Sequence, residues 1–160
     1  MRFVLAMNTK ASQLGMRSTR FLDPTGLNSS NVSTPQDLAR LVNAAYQYPL
    51  IREFTTTGFH DLALKESDHQ AVMSFRNTNE LVRNSAWQIG LSKTGYINEA
   101  GRCLVMQATI ATKRVIIVLL DARGRATRIG DANRIKHWLE GTVIGTRNTV
   151  RRQHIARSRT

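Results

Sequence analysis

Apolar residues near the start of the chain recur at steps of three and four, and this spacing predicts an amphipathic helix. Gly15 is expected to end that helix, because glycine readily takes the left-handed conformation that closes many helices. A second helix is predicted after a turn at residues 23–26, with Thr34 as its N-cap and Pro35 at its first position. Pro49 is expected to stop this second helix. The predicted apolar positions are Phe3, Val4, Met7, Ala11 and Leu14 in the first helix, and Leu38, Leu41, Val42, Ala45 and Tyr46 in the second.

In the middle of the chain the hydrophobic pattern shortens toward the two-residue period of a β-strand. Residues 69–75 predict one strand, and a polar loop separates it from an apolar, strand-like stretch at 87–95. Residues 103–122 predict two further strands around a tight turn near Thr112 and Lys113.

The last apolar segments complete the predicted fold. The unbroken apolar run from Val115 to Leu120 is typical of a central strand covered on both faces. A closing helix follows, and Gly141 is expected to lie just past its end. Helices, then three or four consecutive strands, then a helix predict an α+β fold with an antiparallel sheet covered by helices. The apolar positions of the closing helix are Ile129, Ala132, Ile135 and Leu139.

The charge of the chain is unevenly distributed. Its 160 residues suffice for one domain with a hydrophobic core, and its net charge is +12. Such a basic chain is a candidate for binding an anionic polymer, including nucleic acid. No acidic residue follows Glu140, and we expect residues 142–160 to form a basic, mobile tail. A solvated tail and a nucleic-acid-binding arm are both compatible with its arginines, which are Arg147, Arg151, Arg152, Arg157 and Arg159.

Neither a metal nor a cofactor is expected from the sequence. The histidines are scattered, the single cysteine has no partner at ligand spacing, and no glycine-rich phosphate loop is present. No apolar run approaches the length that crosses a bilayer, and the start of the chain lacks the apolar core of a signal peptide. A chain expressed as written is therefore expected in the cytoplasm. The residues concerned are His60, His69, His137, His154 and Cys103.

One tripeptide, Lys93-Thr94-Gly95, has an obvious chemical use. Lysine places a positive charge beside a substrate carboxylate, and threonine donates a hydrogen bond to it. Glycine leaves room for a substrate to lie against the strand and pair with its backbone. A polar strand end is the alternative interpretation, because three residues alone are a weak signal.

Four stretches carry a resemblance to a known family, in the family's order and spacing from about Phe3 to Glu140. The chain resembles the D-alanyl-D-alanine endopeptidase branch of the low-molecular-mass penicillin-binding proteins, which are exported serine peptidases that cut D-alanyl bonds in peptidoglycan. The resemblance implies the C-terminal part of the serine β-lactamase and D-Ala-D-Ala peptidase fold, with peptidoglycan peptide or a β-lactam as ligand. The stretches are MNTKASQLGMRSTRFLDPTGLNSSNVSTPQDLARL, FRNTNELVR, IGLSKTGYINEAGRCLVMQA and RIGDANRIKHWLE.

The resemblance also implies roles for individual residues. Lys93 and Thr94 would hold the carboxylate of the substrate or β-lactam, beside Gly95. The backbone N–H of Tyr96 would lie where the family provides one donor of the oxyanion hole. The substrate-binding residues expected from the sequence are therefore Lys93, Thr94, Gly95 and Tyr96.

The chain departs from the family at the nucleophile. No serine has a lysine three positions later, so the family's Ser-x-x-Lys motif has no counterpart and no catalytic residue is assigned. Ser29-Ser30-Asn31 spells the family's Ser-x-Asn motif, but it follows the turn at 23–26 and is interpreted as scaffold.

In the family, both motifs precede the helix that opens this chain. We therefore expect residues 1–141 to be a peptidase domain without its nucleophile segment, inactive by itself. The resemblance implies a periplasmic protein. Two alternatives are a non-catalytic cationic module that binds cell-wall polymer or nucleic acid, and a decayed gene product.

Overall fold

The computed structural model describes residues 2–66, 69–124 and 126–157, and it has the α+β architecture that the pattern predicts. Three helices come first, five strands follow, and a long helix closes the chain. The helices are α1 (Arg2–Gln13), α2 (Pro35–Ala45), α3 (Pro49–Thr56) and α4 (Thr127–Arg157). The strands are β1 (Phe59–Glu66), β2 (His69–Arg76), β3 (Gln88–Ile97), β4 (Gly101–Ile110) and β5 (Lys113–Ala122), with a 3₁₀ turn at Glu80–Arg83.

The five strands form two separate antiparallel sheets. β1 and β2 make a hairpin, and β3, β4 and β5 make a three-stranded sheet with β4 in the middle. Ala111 and Thr112, which join β4 to β5, have φ angles of 48° and 70°. Two consecutive positive φ values are typical of the tight turns whose twist matches an antiparallel hairpin.

β5 corrects one prediction. Among the described residues it pairs with β4 alone, so Val115–Leu120 lies at the edge of this three-stranded sheet and not in its centre as predicted. The run is apolar throughout because α2 packs on one face of the sheet and α4 on the other. Cover on both faces requires apolar residues on both faces, whatever the number of neighbouring strands.

The hydrophobic core lies between the three-stranded sheet and α4. Leu104, Met106 and Ala108 of β4 are completely buried there, as is Ala132 of α4. Trp87, which immediately precedes β3, packs into the same cluster and donates a hydrogen bond from Nε1 to Oδ1 of Asn133 at 3.1 Å. This contact holds β3 against α4.

The helix ends confirm some predictions and correct others. Gly15 follows α1 with φ of 71°, and the hydroxyl of Thr34 accepts a hydrogen bond from the N–H of Asp37 at the start of α2, both as expected. Pro49, expected only to stop α2, is the first residue of α3, a helix that was not predicted. Proline suits that position because it lacks the N–H that a first-turn residue leaves unpaired. Likewise α4 continues through Gly141 to Arg157, so the helix does not end where glycine suggested.

Candidate active site

The Lys93-Thr94-Gly95 tripeptide lies on β3, at the edge of the three-stranded sheet. Alternation along the strand sends its side chains to opposite faces. Lys93 pairs in register with Val105 and points to the face covered by α2, whereas Thr94 pairs with Leu104 and lies on the face of the core. The side chains of Lys93 and Thr94 therefore lie on opposite faces of the sheet, next to the edge of β3.

On the α2 side, an open cleft of about 520 Å³ contains the tripeptide. The ammonium group of Lys93 is exposed and donates a hydrogen bond to the carbonyl oxygen of Thr94. The carboxylates of Glu99 and Asp121 place negative charge at the rim of the cleft. The cleft is lined by Lys93, Thr94, Gly95, Ile97, Glu99 and Ala100 of the β3–β4 hairpin, by Cys103, Val105, Leu120 and Asp121 of β4 and β5, and by Ser29, Asn31, Val32, Ser33 and Leu38 of the facing loop and helix.

The loop with Ser29 and Asn31 shares this cleft, although it was interpreted as scaffold. The amide of Asn31 is used within its own loop: its Oδ1 accepts from the N–H of Leu22 at 2.7 Å, and its Nδ2 donates to the carbonyl of Asp23 at 2.9 Å. These bonds support a structural role for Asn31. The loop reaches the cleft because α2 packs against β4 and β5.

Asp37 ties the segment of Ser18 and Thr19 to the first turn of α2. Its carboxylate is buried and accepts hydrogen bonds from the N–H of Ser18 and the hydroxyl of Thr19, each at 2.8 Å, and it pairs with Arg40 at 2.7 Å. Burial by itself raises the pKa of Asp37, but the bonds from Thr19 and Ser18 and the charge of Arg40 together hold it below its ordinary value. Thr19 also hydrogen-bonds the hydroxyl of Ser33 at 2.8 Å, so the ionised carboxylate supports this wall of the cleft through Thr19.

On the opposite face, the hydroxyl of Thr94 lies 2.7 Å from the hydroxyl of Thr78. Next to it, the buried Asn79 donates from Nδ2 to the hydroxyl of Ser92 at 2.8 Å. The polar segment 76–84, expected only as a loop, therefore contacts the tripeptide directly. Most of this segment belongs to the FRNTNELVR stretch that carries the resemblance, but no pattern along the chain indicates which strand it contacts.

No strand of the described part of the chain pairs with the outer edge of β3. The N–H of Ser92 donates outward to the hydroxyl of Thr55 at 3.4 Å, and no register shift interrupts β3 from Leu91 to Ile97. Backbone groups alternate in direction along a strand, so the N–H groups of Thr94 and Tyr96 face the same outer edge. The side chain of Tyr96 is more than half exposed. This edge can accept an extended peptide.

Arg128 is a candidate site residue that the sequence reasoning missed. It is the second residue of α4, its side chain is buried, and its Nη1 donates to the carbonyl of Cys103 at 3.2 Å. Cys103 is the register partner of Gly95, so this guanidinium lies one strand away from the tripeptide. A second cavity, of about 410 Å³, contains Arg128 together with Thr78, Arg76, Asn77, Glu80, Arg83, Ala126 and Ile129. A single arginine in a chain with 23 basic residues carries no pattern that would have singled it out.

Within the described ranges, no three His, Cys, Asp or Glu side chains are grouped so that they could hold a metal ion. None of the helices in the described part of the chain is long and apolar enough to cross a membrane. The chemistry available at the β3 edge is therefore that of cations, hydroxyls and backbone N–H groups, which suits an anionic or carbonyl-bearing ligand.

Comparison with known proteins identifies the class and then the family. The fold matches the DD-transpeptidase of Streptomyces K15 with a TM-score of 0.74 and 30% identity, over 85% of this chain and 53% of that one. A D-alanyl-D-alanine carboxypeptidase from Mycobacterium tuberculosis matches with a TM-score of 0.60 and 27% identity, over 73% of this chain and 44% of that one. The fold is thus that of the penicillin-binding DD-peptidases. A family model described as D-alanyl-D-alanine carboxypeptidase matches residues 1–124, and the chain belongs to that family.

Relatives within the family include D-alanyl-D-alanine endopeptidases from Pseudomonas aeruginosa and Escherichia coli. Each is 49% identical to this chain over 138 residues, which is 86% of this chain. The chain spans 44% of the length of each of these two relatives. The resemblance to the endopeptidase branch, and the α+β fold inferred from it, are confirmed.

Proposed function

We propose that the edge of β3 is the substrate-carboxylate side of a D-alanyl-D-alanine peptidase site that acts on peptidoglycan peptides. The observation that carries this proposal is the placement of Lys93 and Thr94 on either side of an unpaired strand edge, in a chain that belongs to the carboxypeptidase family. A terminal D-alanine carboxylate, or the carboxylate of a β-lactam, would accept hydrogen bonds from both side chains.

Each residue of the site has a distinct part in binding. Lys93 supplies the exposed positive charge, and Thr94 supplies a hydroxyl donor on the other side of the strand. Gly95 carries no side chain, so a peptide can approach the strand and pair with its backbone as an added strand. The buried Arg128 adds positive potential behind the strand edge.

Tyr96 would act through its backbone. Its N–H faces the outer edge of β3, where it can donate to the oxygen of a carbonyl bound alongside. In acyl transfer, negative charge develops on that oxygen, and a fixed N–H stabilises the charge without having to reorient. One donor is half of an oxyanion hole, and in serine peptidases the other is the N–H of the nucleophile itself.

The 160 residues contain no Ser-x-x-Lys sequence, so we propose that this chain binds D-alanyl carboxylates but forms no acyl-serine by itself. Nucleophilic attack requires a serine hydroxyl whose proton is taken by a neighbouring base. The hydrolysis of D-alanyl bonds would then need a nucleophile segment from outside these residues. The periplasm, where peptidoglycan lies, remains the predicted location of such an enzyme.

Two measurements test this proposal. Fluorescent penicillin should leave the 160-residue chain unlabelled while it labels the Escherichia coli endopeptidase under the same conditions; one labelled serine per chain would refute the predicted inactivity. Amide shifts of the ¹⁵N-labelled chain should move at Thr94 to Tyr96 on titration with diacetyl-L-lysyl-D-alanyl-D-alanine.

A matched pair of lysine variants makes the binding test specific. Lys93→Met should weaken binding about tenfold or more, because it removes a charged partner of the carboxylate. Lys113→Met, which removes an exposed lysine at the far end of the sheet, should leave binding unchanged. Equal effects of the two substitutions would mean that only overall charge attracts the ligand.

A further inference from the structure

The Asn77-Thr78-Asn79 tripeptide places one hydroxyl, that of Thr78, against the candidate site. Thr78 lies in the segment between β2 and the 3₁₀ turn, and its hydroxyl oxygen is 2.7 Å from that of Thr94 on β3. Among the described residues, no other side-chain hydrogen bond reaches the hydroxyl of Thr94. The geometry of this contact depends on how firmly the two asparagines on either side are held.

Asn77 is fixed to the end of α3. Its Nδ2 donates to the carbonyls of Thr55 and Thr57, at 3.1 and 3.0 Å, and its backbone N–H donates to the carbonyl of Gly58 at 2.8 Å. Its own carbonyl accepts from Nη1 of Arg83 at 2.8 Å. These four bonds leave the residue before Thr78 little freedom to move.

Asn79 is fixed to β3 itself. Its side chain is completely buried; Nδ2 donates to the hydroxyl of Ser92 at 2.8 Å, and Oδ1 accepts from the N–H of Leu81 at 3.2 Å. Ser92 lies two positions before Thr94 on the same face of the strand. The segment and the strand are therefore linked at Ser92 and again at Thr94. The exposed Thr78 therefore lies between two anchored asparagines.

We propose that Thr78 is a positioning residue that directs the hydroxyl proton of Thr94 toward a bound carboxylate. A hydroxyl has one hydrogen to donate and can accept two hydrogen bonds. When Thr78 donates to Thr94, the proton of Thr94 is free for the ligand, and the two bonds in series strengthen each other. This inference rests on the proposed function of the β3 edge.

The charges around Thr78 favour an anion on this side of the strand. The cavity that Thr78 lines also contains Arg76, Arg83 and Arg128, against one carboxylate, Glu80. A carboxylate bound at the edge of β3 would thus meet a positive potential. The hydroxyl pair lies where this potential and the open edge coincide, so the direction of its proton matters for binding.

The first test measures the orientation of Thr94 without any ligand. Three-bond couplings from the backbone nitrogen and carbonyl carbon to Cγ2 of Thr94 report its χ1 rotamer. They should indicate one rotamer in the wild-type chain and in Thr78→Ser, and averaged rotamers in Thr78→Val. Thr109→Val is the matched control, because it removes a hydroxyl of the same sheet with no hydrogen bond to Thr94. Couplings in Thr78→Val that equal those of the wild type would overturn the positioning role.

The second test measures whether that orientation matters for the carboxylate. Thr78→Val should raise the Kd for diacetyl-L-lysyl-D-alanyl-D-alanine by roughly fivefold to tenfold. It should leave the Kd of the C-terminal amide of the same peptide unchanged, and Thr78→Ser should restore wild-type affinity. Equal losses for acid and amide, or no rescue by serine, would overturn the inference. A wild-type chain that binds acid and amide equally would instead overturn the proposed function, and the couplings of Thr94 would still decide the role of Thr78.

Discussion

The two faces of the three-stranded sheet are built from the same strands but differ in character. The face toward α4 is closed: Leu104, Met106 and Ala108 have no solvent exposure and pack against Leu81, Trp87 and Ala132. The face toward α2 is open where Lys93, Gly95 and Cys103 line a cleft of about 520 Å³. Alternate residues of β3 and β4 therefore either pack in the core or line the cleft.

This difference shows how a fold can separate stability from binding along a single strand. Ser92 lies on the closed face, where Asn79 holds it in place, and Thr94 on the same face lies beside the hydroxyl of Thr78. Lys93 lies on the open face and its side chain is exposed. A binding residue on the open face can change without disturbing the core, whereas changes on the closed face should affect the whole sheet.

The largest expected effect is the loss of a core side chain. Met106→Ala should lower the free energy of unfolding by about 2–5 kcal/mol, because it leaves a cavity among completely buried residues. Val105→Ala, one position away on the open face, should cost about 1 kcal/mol. Urea denaturation of both variants measures the contrast, and equal losses would contradict the division into a closed and an open face.

The next effect concerns the polar link on the closed face. Asn79→Ala should lower the free energy of unfolding by about 1–3 kcal/mol, because Ser92 and the N–H of Leu81 lose a buried partner. Asn98→Ala, in the exposed turn after β3, should change it by less than about 0.5 kcal/mol. Should the two variants unfold at the same urea concentration, Asn79 would not be a structural link.

The stability that Asp37 gives to the wall of the open cleft should depend on pH. The pKa of Asp37 is held below its ordinary value of 3.8, so the unfolded state takes up its proton first as the solution is acidified. The stabilisation by this carboxylate is complete above about pH 5 and is lost as the pH falls through 3.8 toward the lower folded-state pKa. Asp37→Asn should lower the melting temperature at pH 7 by several degrees and weaken its decline in acid.

Asp121→Asn is the control for that experiment. Asp121 lies at the rim of the same cleft, and asparagine tolerates its φ of 53°. Thermal melts from pH 7 to pH 3 should show the acid-induced decline undiminished in this variant. A decline in Asp37→Asn as steep as in the wild type would show that other carboxylates govern acid stability.

The smallest effect on stability should come from the binding residue itself. Lys93→Met should change the free energy of unfolding by less than about 0.5 kcal/mol, because the ammonium group is exposed. Leu91→Ala, two positions earlier on the same face but buried, should cost about 2–5 kcal/mol. A loss above about 1 kcal/mol for Lys93→Met would mean that the lysine supports the fold rather than a ligand.

Local features of the fold could be predicted where the signal lies within a few residues. Thr34 and Pro35 begin α2 as expected, because a cap involves a side chain and the N–H three residues later. Of the β1–β2 hairpin, the sequence predicted β2 but not β1. β1 presents apolar residues on both faces, among them Phe59 and Leu62, so it lacks the alternation that reveals a half-buried strand.

The predicted helix ends were wrong at residues that can occupy more than one position relative to a helix. Pro49 can stop one helix or start the next, and Gly141 can follow a helix or lie within it. The predicted mobility of residues 142–160 stays a prediction, as does nucleic-acid binding by their arginines. The candidate site was predicted as Lys93, Thr94, Gly95 and Tyr96, and their roles in binding await the experiments above.

The sequence by itself determined the caps, the tight turns, the strand that carries Lys93-Thr94-Gly95 and the family, because each depends on residues close together in the chain or on motifs in order. Only the tertiary structure decided that the hydroxyl of Thr78 meets Thr94 and that Arg128 lies behind Gly95. The same holds for the loop of Asn31, which forms the opposite wall of the cleft. The physical reason is that periodicity shows which face of an element is apolar but not which partner covers it. That choice is made when the buried faces of α2, α4 and the sheet pack together.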